Sequence, residues 1–553
     1  MTDEIAQIIQ QKRRPSWRRA GLWPIGAGLI AALVLMPVIA VLWFAANPVE
    51  NIWPHLISTV LPRYTANTLV MMASVGALTA AVGTGAAWLV VMYKFPGRGW
   101  LQWALLLPLA VPAYSGAYAL VDFLEYAGPV QSGLRAIFGW TSAQDYYFPH
   151  IRTRGAAVLV ISASLYPYVY ILARAAFKEQ SGATYETARA LGAGPLGLLW
   201  RVGLPLARPA IAAGVAVVMM ETVNDFGTVD YFAVQTLTTG IFTTWLQAGN
   251  LGGAAQIASC ILVLIIFLVL LEKFSRRKSR SFSGARGVRP VVARPLNPSR
   301  GLMASVLCLV PLFMGFLLPA GVLLSHALDA QQWAAPGLLR ALSHSVSVGA
   351  IAASLTVAGG VFVTYGARLS GRRLPALLLP ITSIGYAAPG AVLALGILVP
   401  LAALDNRVAD WVLALTGHDP GLILTGTSSA IVLAYFVRFF AIAQGGADAA
   451  LGRVPPSLAM AARSLGRKPG NVLRTVQMPL MKSSLTSALL LVFVDCIKEL
   501  PATLLLRPFG YETLATRVYA KASLENLTDA APAALTITAV GLVAVGLLAR
   551  SSR

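Results

Sequence analysis

Two pairs of carboxylates stand where an apolar chain should carry none. Glu221 and Asp225 lie four residues apart in one apolar run, and Asp495 and Glu499 repeat that spacing 274 residues later. A helix starting near Arg208 and rising 1.5 Å per residue would carry Glu221 about 20 Å along, past the middle of a hydrocarbon core about 30 Å thick. Ionisable groups at that depth are costly and point to function by default. Symmetry between the copies would turn the pairs toward one path, where four carboxylates favour a hard, highly charged cation and repel oxyanions. Glu221, Asp225, Asp495 and Glu499 are therefore candidate pathway residues and candidate transient contacts for such a cation. A structural reading stands beside this one. Lys498 lies three residues from Asp495, Asn224 holds the matching place in the first copy, and the carboxylates could equally pair with arginines or backbone donors to lock helices.

The remaining titratable residues point nowhere else. The five histidines (His55, His150, His326, His344, His418) are scattered through expected loops, and Cys260, Cys308 and Cys496 sit in apolar segments. No Cys/His spacing suggests zinc or a disulfide framework, and no nucleophile–base pair suggests an enzyme.

The elements that must position these groups are membrane helices. Of 553 residues, 57% are hydrophobic and 12% charged, against about 25% charged in a soluble domain. The net charge of +21 comes from 43 Lys and Arg against 22 Asp and Glu. These cations cluster between apolar runs, as the positive-inside rule requires, and no nucleic-acid reader motif accompanies them. Lys12, Arg13, Arg14, Arg18 and Arg19 precede an apolar run too long for a cleavable signal. Runs near 20 apolar residues span a bilayer. Twelve are expected, near 21–45, 66–93, 100–124, 155–178, 207–229, 252–272, 302–325, 344–368, 374–403, 427–446, 481–505 and 530–549. The fold class is thus an all-α polytopic membrane protein. Residues 1–272 form one six-span half, 273–300 a basic flexible linker, and 301–553 a second half. An even span count makes the halves parallel repeats, with both termini in the cytoplasm. Leu105-Leu106-Leu107-Pro108 recurs as Leu377-Leu378-Leu379-Pro380, each followed by another proline, Pro112 or Pro389. Bent helices are expected there.

Each half also carries one polar loop, 179–206 and 453–480. The first reads Glu186-Thr187-Ala188, three residues, Gly192, nine residues, Val202-Gly203-Leu204-Pro205. The second reads Met460-Ala461-Ala462, three residues, Gly466, nine residues, Val476-Gln477-Met478-Pro479. Glycine permits a sharp turn and Pro205 is expected to stop the second helix, Pro195 to Val202. The outcome would be an L-shaped knob of two short helices.

The paired loops resemble the "EAA" loops of type I ABC importer permeases, and the resemblance covers nearly the whole chain. The stretches Glu221 to Phe232, Thr239 to Phe242 and Lys498 to Pro508 are similar to the fused, two-half ferric-iron permeases, with thiamine permeases as the nearest alternative. The resemblance implies that Glu186, Ala188, Gly192, Leu204 and Pro205, with Ala461, Ala462, Gly466, Met478 and Pro479, couple to two copies of a separate ATPase. Met460 replaces the usual glutamate, so unequal docking contacts are expected. There is no GxxxxGK[ST] phosphate loop. The chain would bind no cofactor of its own, ATP and Mg being held by the ATPase, and would be a translocation path in a bacterial inner membrane. A periplasmic binding protein would deliver the cargo to outer segments such as 146–154 and 405–419, and lipid would be the other partner. An ion-gradient-driven carrier is the rival class, opposed by the parallel repeat and the twin loops.

Overall fold

The structure, a computed structural model, describes residues 23–277, 291–328, 330–370, 379, 382, 385 and 388–551. The basic cluster Lys12 to Arg19, linker residues 278–290, Arg372, Arg373 and all but Leu379 of the second Leu-Leu-Leu-Pro copy lie outside them.

Among the described residues, eleven helices are long and apolar enough to cross a membrane, and one bent pair raises the number to twelve. Each expected span has its counterpart, although of 374–403 the helix Gly390–Thr416 covers only the last part, most of 374–388 lying outside the described residues. The third is broken, with Arg98–Ala110 and Ala113–Phe138 meeting at 94°. Pro112 stands at the corner. It forces Val111 into an extended conformation (φ −98°, ψ 119°), because a residue before proline is excluded from the α region.

Three other prolines act differently. The second loop helix does not stop at Pro205 as expected. It runs from Pro195–Leu198 through a wider turn, Leu199–Gly203, directly into Leu204–Asn224. The second half repeats this with Pro469–Val472, Leu473–Gln477 and Met478–Ile497, and a third case joins Pro298–Leu312 to Leu318–His326 through Phe313–Leu317. Each wide turn ends two residues before a proline, whose ring would collide with the carbonyl four residues back. Widening to a π turn moves that carbonyl aside, and the helix continues.

Packing follows close backbone approaches. A Cβ on Gly83 would lie 2.9 Å from Tyr170 N, and a Cβ on Gly360 would lie 2.9 Å from Gln444 N. These are the same position in the two halves, and each lets the helix Leu61–Met92 or Leu338–Ser370 touch its neighbour's backbone.

The compact units do not coincide with the sequence halves. One unit comprises Met1–Ala40, Val346–Ala388 and Leu393–Cys496, and the other Val41–Ser345, Pro389–Val392 and Ile497–Arg553. In the first, Trp23 stacks on Phe362 with ring centroids 4.5 Å apart. In the second, the two ends of the second half pack on first-half residues. Ser305 Oγ donates to Pro96 O at 2.7 Å, and a Cβ on Gly541 would meet Ala110 Cα at 2.7 Å.

The expectation of a loose linker over 273–300 is corrected at both described ends. Residues 273–277 complete the helix Leu251–Arg277, and Arg294–Pro295 pairs in parallel with Tyr93–Lys94. Leu296 N donates to Lys94 O at 3.1 Å, tying the chain down before Pro298 opens the next helix.

Candidate functional site: two loops and two corner helices

The glycine turns in both loops are as the spacing predicts. Gly182–Ala190 ends in a left-handed Gly192 (φ +84°), and Pro456–Ser464 ends in a left-handed Gly466 (φ +80°). Gly192 N donates to Arg189 O and Ala193 N to Ala188 O. Gly466 N and Arg467 N do the same to Arg463 O and Ala462 O. These bonds satisfy the helix-end carbonyls while the chain reverses.

The loops differ in how they are filled. In the first, a Cβ on Gly203 would lie 2.5 Å from the Trp88 ring. Trp88 packs edge-on against Phe177 (5.3 Å) and beside Tyr185 (6.0 Å). The Tyr185 hydroxyl donates to Gln180 Oε1, and Gln180 Nε2 donates to Gly203 O at 3.2 Å. Burial pushes the Tyr185 phenol above its ordinary pKa. Burial, and then the nearby Arg294 guanidinium, pull Arg189 below its own. Glu186, Gly192 and Pro205 are exposed, whereas Ala188 and Leu204 are half-buried. Leu191 (83%), Leu196 (71%) and Trp200 (67%) also face outward.

In the second loop Tyr365 takes the place of Trp88, and its hydroxyl donates to Pro469 O at 2.7 Å. Gln477 replaces Gly203 and is buried. Ala462 is buried, while Met460, Ala461, Gly466, Met478 and Pro479 are exposed. Leu465, which matches Leu191, is again 83% exposed.

The carboxylates depart from expectation. Each loop helix ends just short of the second carboxylate of its pair, at Asn224 and at Ile497. Asp225 and Glu499 therefore do not stack on a helix face with Glu221 and Asp495. Each begins a corner instead. Asp225 accepts from Thr228 N (2.9 Å), Val229 N (3.2 Å) and Thr228 Oγ1 (2.8 Å), so it caps the short helix Gly227–Tyr231. Glu499 accepts from Ala502 N (3.0 Å), Thr503 N (3.1 Å) and Thr503 Oγ1 (2.9 Å), so it caps Pro501–Leu506. Glutamate is one methylene longer and takes its hydroxyl one residue later. Cap oxygens that satisfy orphan N–H groups are structural, which favours the locking role for these two residues.

Glu221 is half-buried, and among the described residues no hydrogen bond or ion pair engages its carboxylate. Asp495 is half-buried, has a partner within the chain, and belongs to the other packing unit. Among the described residues no three His, Cys, Asp or Glu side chains converge as a metal cluster. Two of the four carboxylates thus cap corners, and two stand on the loop helices.

The two corners meet inside one unit. A Cβ on Gly227 would lie 2.8 Å from Leu500 Cδ2 and 2.8 Å from Tyr114 Cβ. Asn224 Oδ1 accepts from Gly390 N at 2.9 Å, holding the start of the helix Gly390–Thr416. Beyond each corner a Thr-x-x-Thr capping box opens the next helix, Thr236/Thr239 before Leu237–Phe242 and Thr513/Thr516 before Leu514–Ser523. In both, the first helical N–H is also held by an outside hydroxyl, Thr68 for Leu237 (3.0 Å) and Ser345 for Leu514 (2.7 Å). Reasoning from sequence missed these boxes, although their 277-residue repeat is visible in it.

At the end of Arg154–Glu179 remote from the first loop, Arg152 bonds Glu125 (3.0 Å) and Glu525 (2.6 Å), and His326 contacts Asp122 (2.9 Å) and Thr528 (3.0 Å). In the other unit, Asp405 accepts from the N–H groups of Ile423, Leu424 and Thr425.

Apolar spans, two exposed knobs and paired corners define a polytopic helical transport protein built from a duplicated unit. The chain belongs to the family described as the inner membrane component of binding-protein-dependent transport systems, which matches residues 76–281 and 345–552. It is 26% identical over 487 residues to the Fe(3+)-transport system permease protein FbpB 2 of Haemophilus influenzae, covering 86% of each chain. It is 28% identical over 204 residues to the molybdenum transport system permease protein ModB of Escherichia coli (strain K12), covering 36% of this chain and 86% of that one. Among solved structures, it is similar to a chain from a bacterial alginate ABC transporter in complex with a pentasaccharide-bound periplasmic protein. That likeness has 19% identity and a TM-score of 0.37, and covers 44% of this chain and 88% of the other.

Proposed function

We propose that this chain is the permease subunit of an ATP-driven importer whose cargo is ferric iron handed over by a separate binding protein. The observation that carries the iron reading is the likeness to the Haemophilus influenzae permease across both halves, 86% of each chain. A half-length relative such as the molybdenum permease matches only 36% of this chain.

In this reading two ATPase subunits, holding ATP and Mg, grip the loops 179–206 and 453–480. The exposed Leu191, Leu196 and Trp200 supply an apolar contact on the first, and Leu458, Met460 and Leu465 on the second. Force passes up continuous helices. Pro195–Asn224 has 30 residues and Pro469–Ile497 has 29, each a lever of about 45 Å at 1.5 Å per residue. Each lever ends at a carboxylate-capped corner, so a pull on either knob would shift its corner, and the corners touch at Gly227 and Leu500. Glu221 and Asp495 are the acids on the levers themselves, and carboxylate oxygen suits a hard cation. Both termini and both loops are cytoplasmic in this reading, and the ends bearing Arg152 and Asp405 face the binding protein.

Iron uptake into proteoliposomes containing the permease, its ATPase and an iron-loaded binding protein tests the reading. ATP-dependent uptake, reduced at least tenfold by combining Glu221→Gln with Asp495→Asn, supports it. Uptake without ATPase overturns the motor, and preference for another cargo overturns the iron. Cysteines at positions 191 and 465 should label only from the inner side.

A further inference from the structure

The first loop fills its own interior and the second does not. Tyr185 and Gln180 close the space beneath the first loop. Their counterparts, 274 residues on, are Ala459 and Val454. The lost ring leaves a crevice of about 260 Å3, walled in part by Tyr365, Val454, Ala459, Met460, Arg463 and Gln477. The loop retains its fold because its turn is set by Gly466 and its depth by Tyr365, neither of which needs the missing ring. Met460, 62% exposed, stands at the rim where the first loop has Glu186.

We propose that this crevice is a socket for one aromatic side chain of the ATP-hydrolysing partner, supplied from outside where the first loop uses Tyr185. The inference rests on the importer reading above. The geometry admits a ring because the first loop, with the same backbone turns, holds one there. The wall chemistry suits a ring too. Methionine sulfur contacts aromatic edges favourably, and a guanidinium such as Arg463 attracts an aromatic face. The chain's own remaining segments carry dense Lys and Arg, including Arg13, Arg14, Arg18, Arg19, Lys278 and Arg280, which Arg463 repels. The socket also gives Met460 a role. A thioether beside an aromatic contact then stands where the first loop presents the carboxylate of Glu186.

The test is Ala459→Tyr in the full-length permease, titrated with its ATPase subunit. The refilled socket should weaken ATPase binding at least tenfold and uncouple hydrolysis from cargo, while the permease alone melts no earlier than before. An alanine scan of the aromatic residues on the ATPase face should find one change with the same loss, and that loss should not add to Ala459→Tyr, as two mutations of one contact behave. Met460→Ala should weaken binding about threefold, the scale of one sulfur–aromatic contact. Unchanged ATPase affinity in Ala459→Tyr overturns the socket and leaves the importer reading standing. A thermal shift in Ala459→Tyr that disappears when residues 1–22 are deleted also overturns it, because the occupant is then the chain's own terminus. A wild-type chain that binds no ATPase overturns the importer reading itself.

Discussion

The two loops share their punctuation and differ in their filling, whereas the two corners differ in residue type and agree in the kinds of group that cap them. Gly192 and Gly466 make the same turn within a few degrees, yet Trp88, Tyr185 and Gly203 on one side correspond to Tyr365, Ala459 and Gln477 on the other. At the corners Asp225 has become Glu499, but each accepts from two backbone N–H groups and one threonine hydroxyl. The difference reflects what each region must do. A corner closes on itself within one chain, and any unpaired N–H there would cost free energy on the order of 1–3 kcal/mol. A loop surface need only fit whatever docks on it, so the two copies are free to diverge.

The largest effect that could break the contrast between the loops is Trp88→Ala. Removing a buried tryptophan costs about 3–5 kcal/mol, so amides of 180–206 should lose hydrogen-exchange protection while those of 454–480 keep theirs. Equal loss in both loops would mean that the knobs are not independently anchored. Next comes Gly203→Gln, which imports the second loop's residue against the Trp88 ring. Overpacking costs about 1–3 kcal/mol, and the reverse change, Gln477→Gly, should cost less, both read from thermal melts in detergent.

The likeness of the corners can be sharpened by Asp225→Asn and Glu499→Gln. A weakened cap costs about 1 kcal/mol. Each change should lower stability by a similar amount and leave iron uptake within a few-fold, in contrast to the combined Glu221 and Asp495 change. An abolition of uptake with unaltered stability would return Asp225 and Glu499 to the cargo path. The smallest effect concerns Glu186→Ala, which should weaken ATPase binding by about 0.2–1 kcal/mol and only at low salt, as an exposed ion pair does. Met460→Ala should be insensitive to salt.

Much of this was legible in the chain. The twelve apolar runs, the duplicated loops and the left-handed glycines all follow from local rules, because a bilayer-spanning helix needs length and apolarity and a sharp helix reversal needs a residue without Cβ. The carboxylate pairs were read as lying on one helix, whereas the second acid of each pair lies beyond the helix end. A period of four residues suggests one helix face, but the helices end at Asn224 and Ile497. The signal present was the threonine that follows each acid, Thr228 and Thr503, the hydroxyl partner of a cap. The prolines misled in the opposite direction. Pro205 and Pro479 look like stops, but a π turn two residues earlier lets the helix pass.

The sequence by itself determined the membrane setting, the duplication and the hinge of each knob, since each rests on neighbouring residues or on a repeat that can be counted. Only the tertiary structure decided which carboxylates were occupied as caps, that Ser305 and Gly541 of the second half would pack on Pro96 and Ala110 of the first, and that Ala459 would leave a hollow where Tyr185 leaves none. The Ser305 and Gly541 contacts join residues more than two hundred positions apart within a few ångströms. No pattern along the chain records such a distance, because it is set by the sum of all the packing that surrounds it.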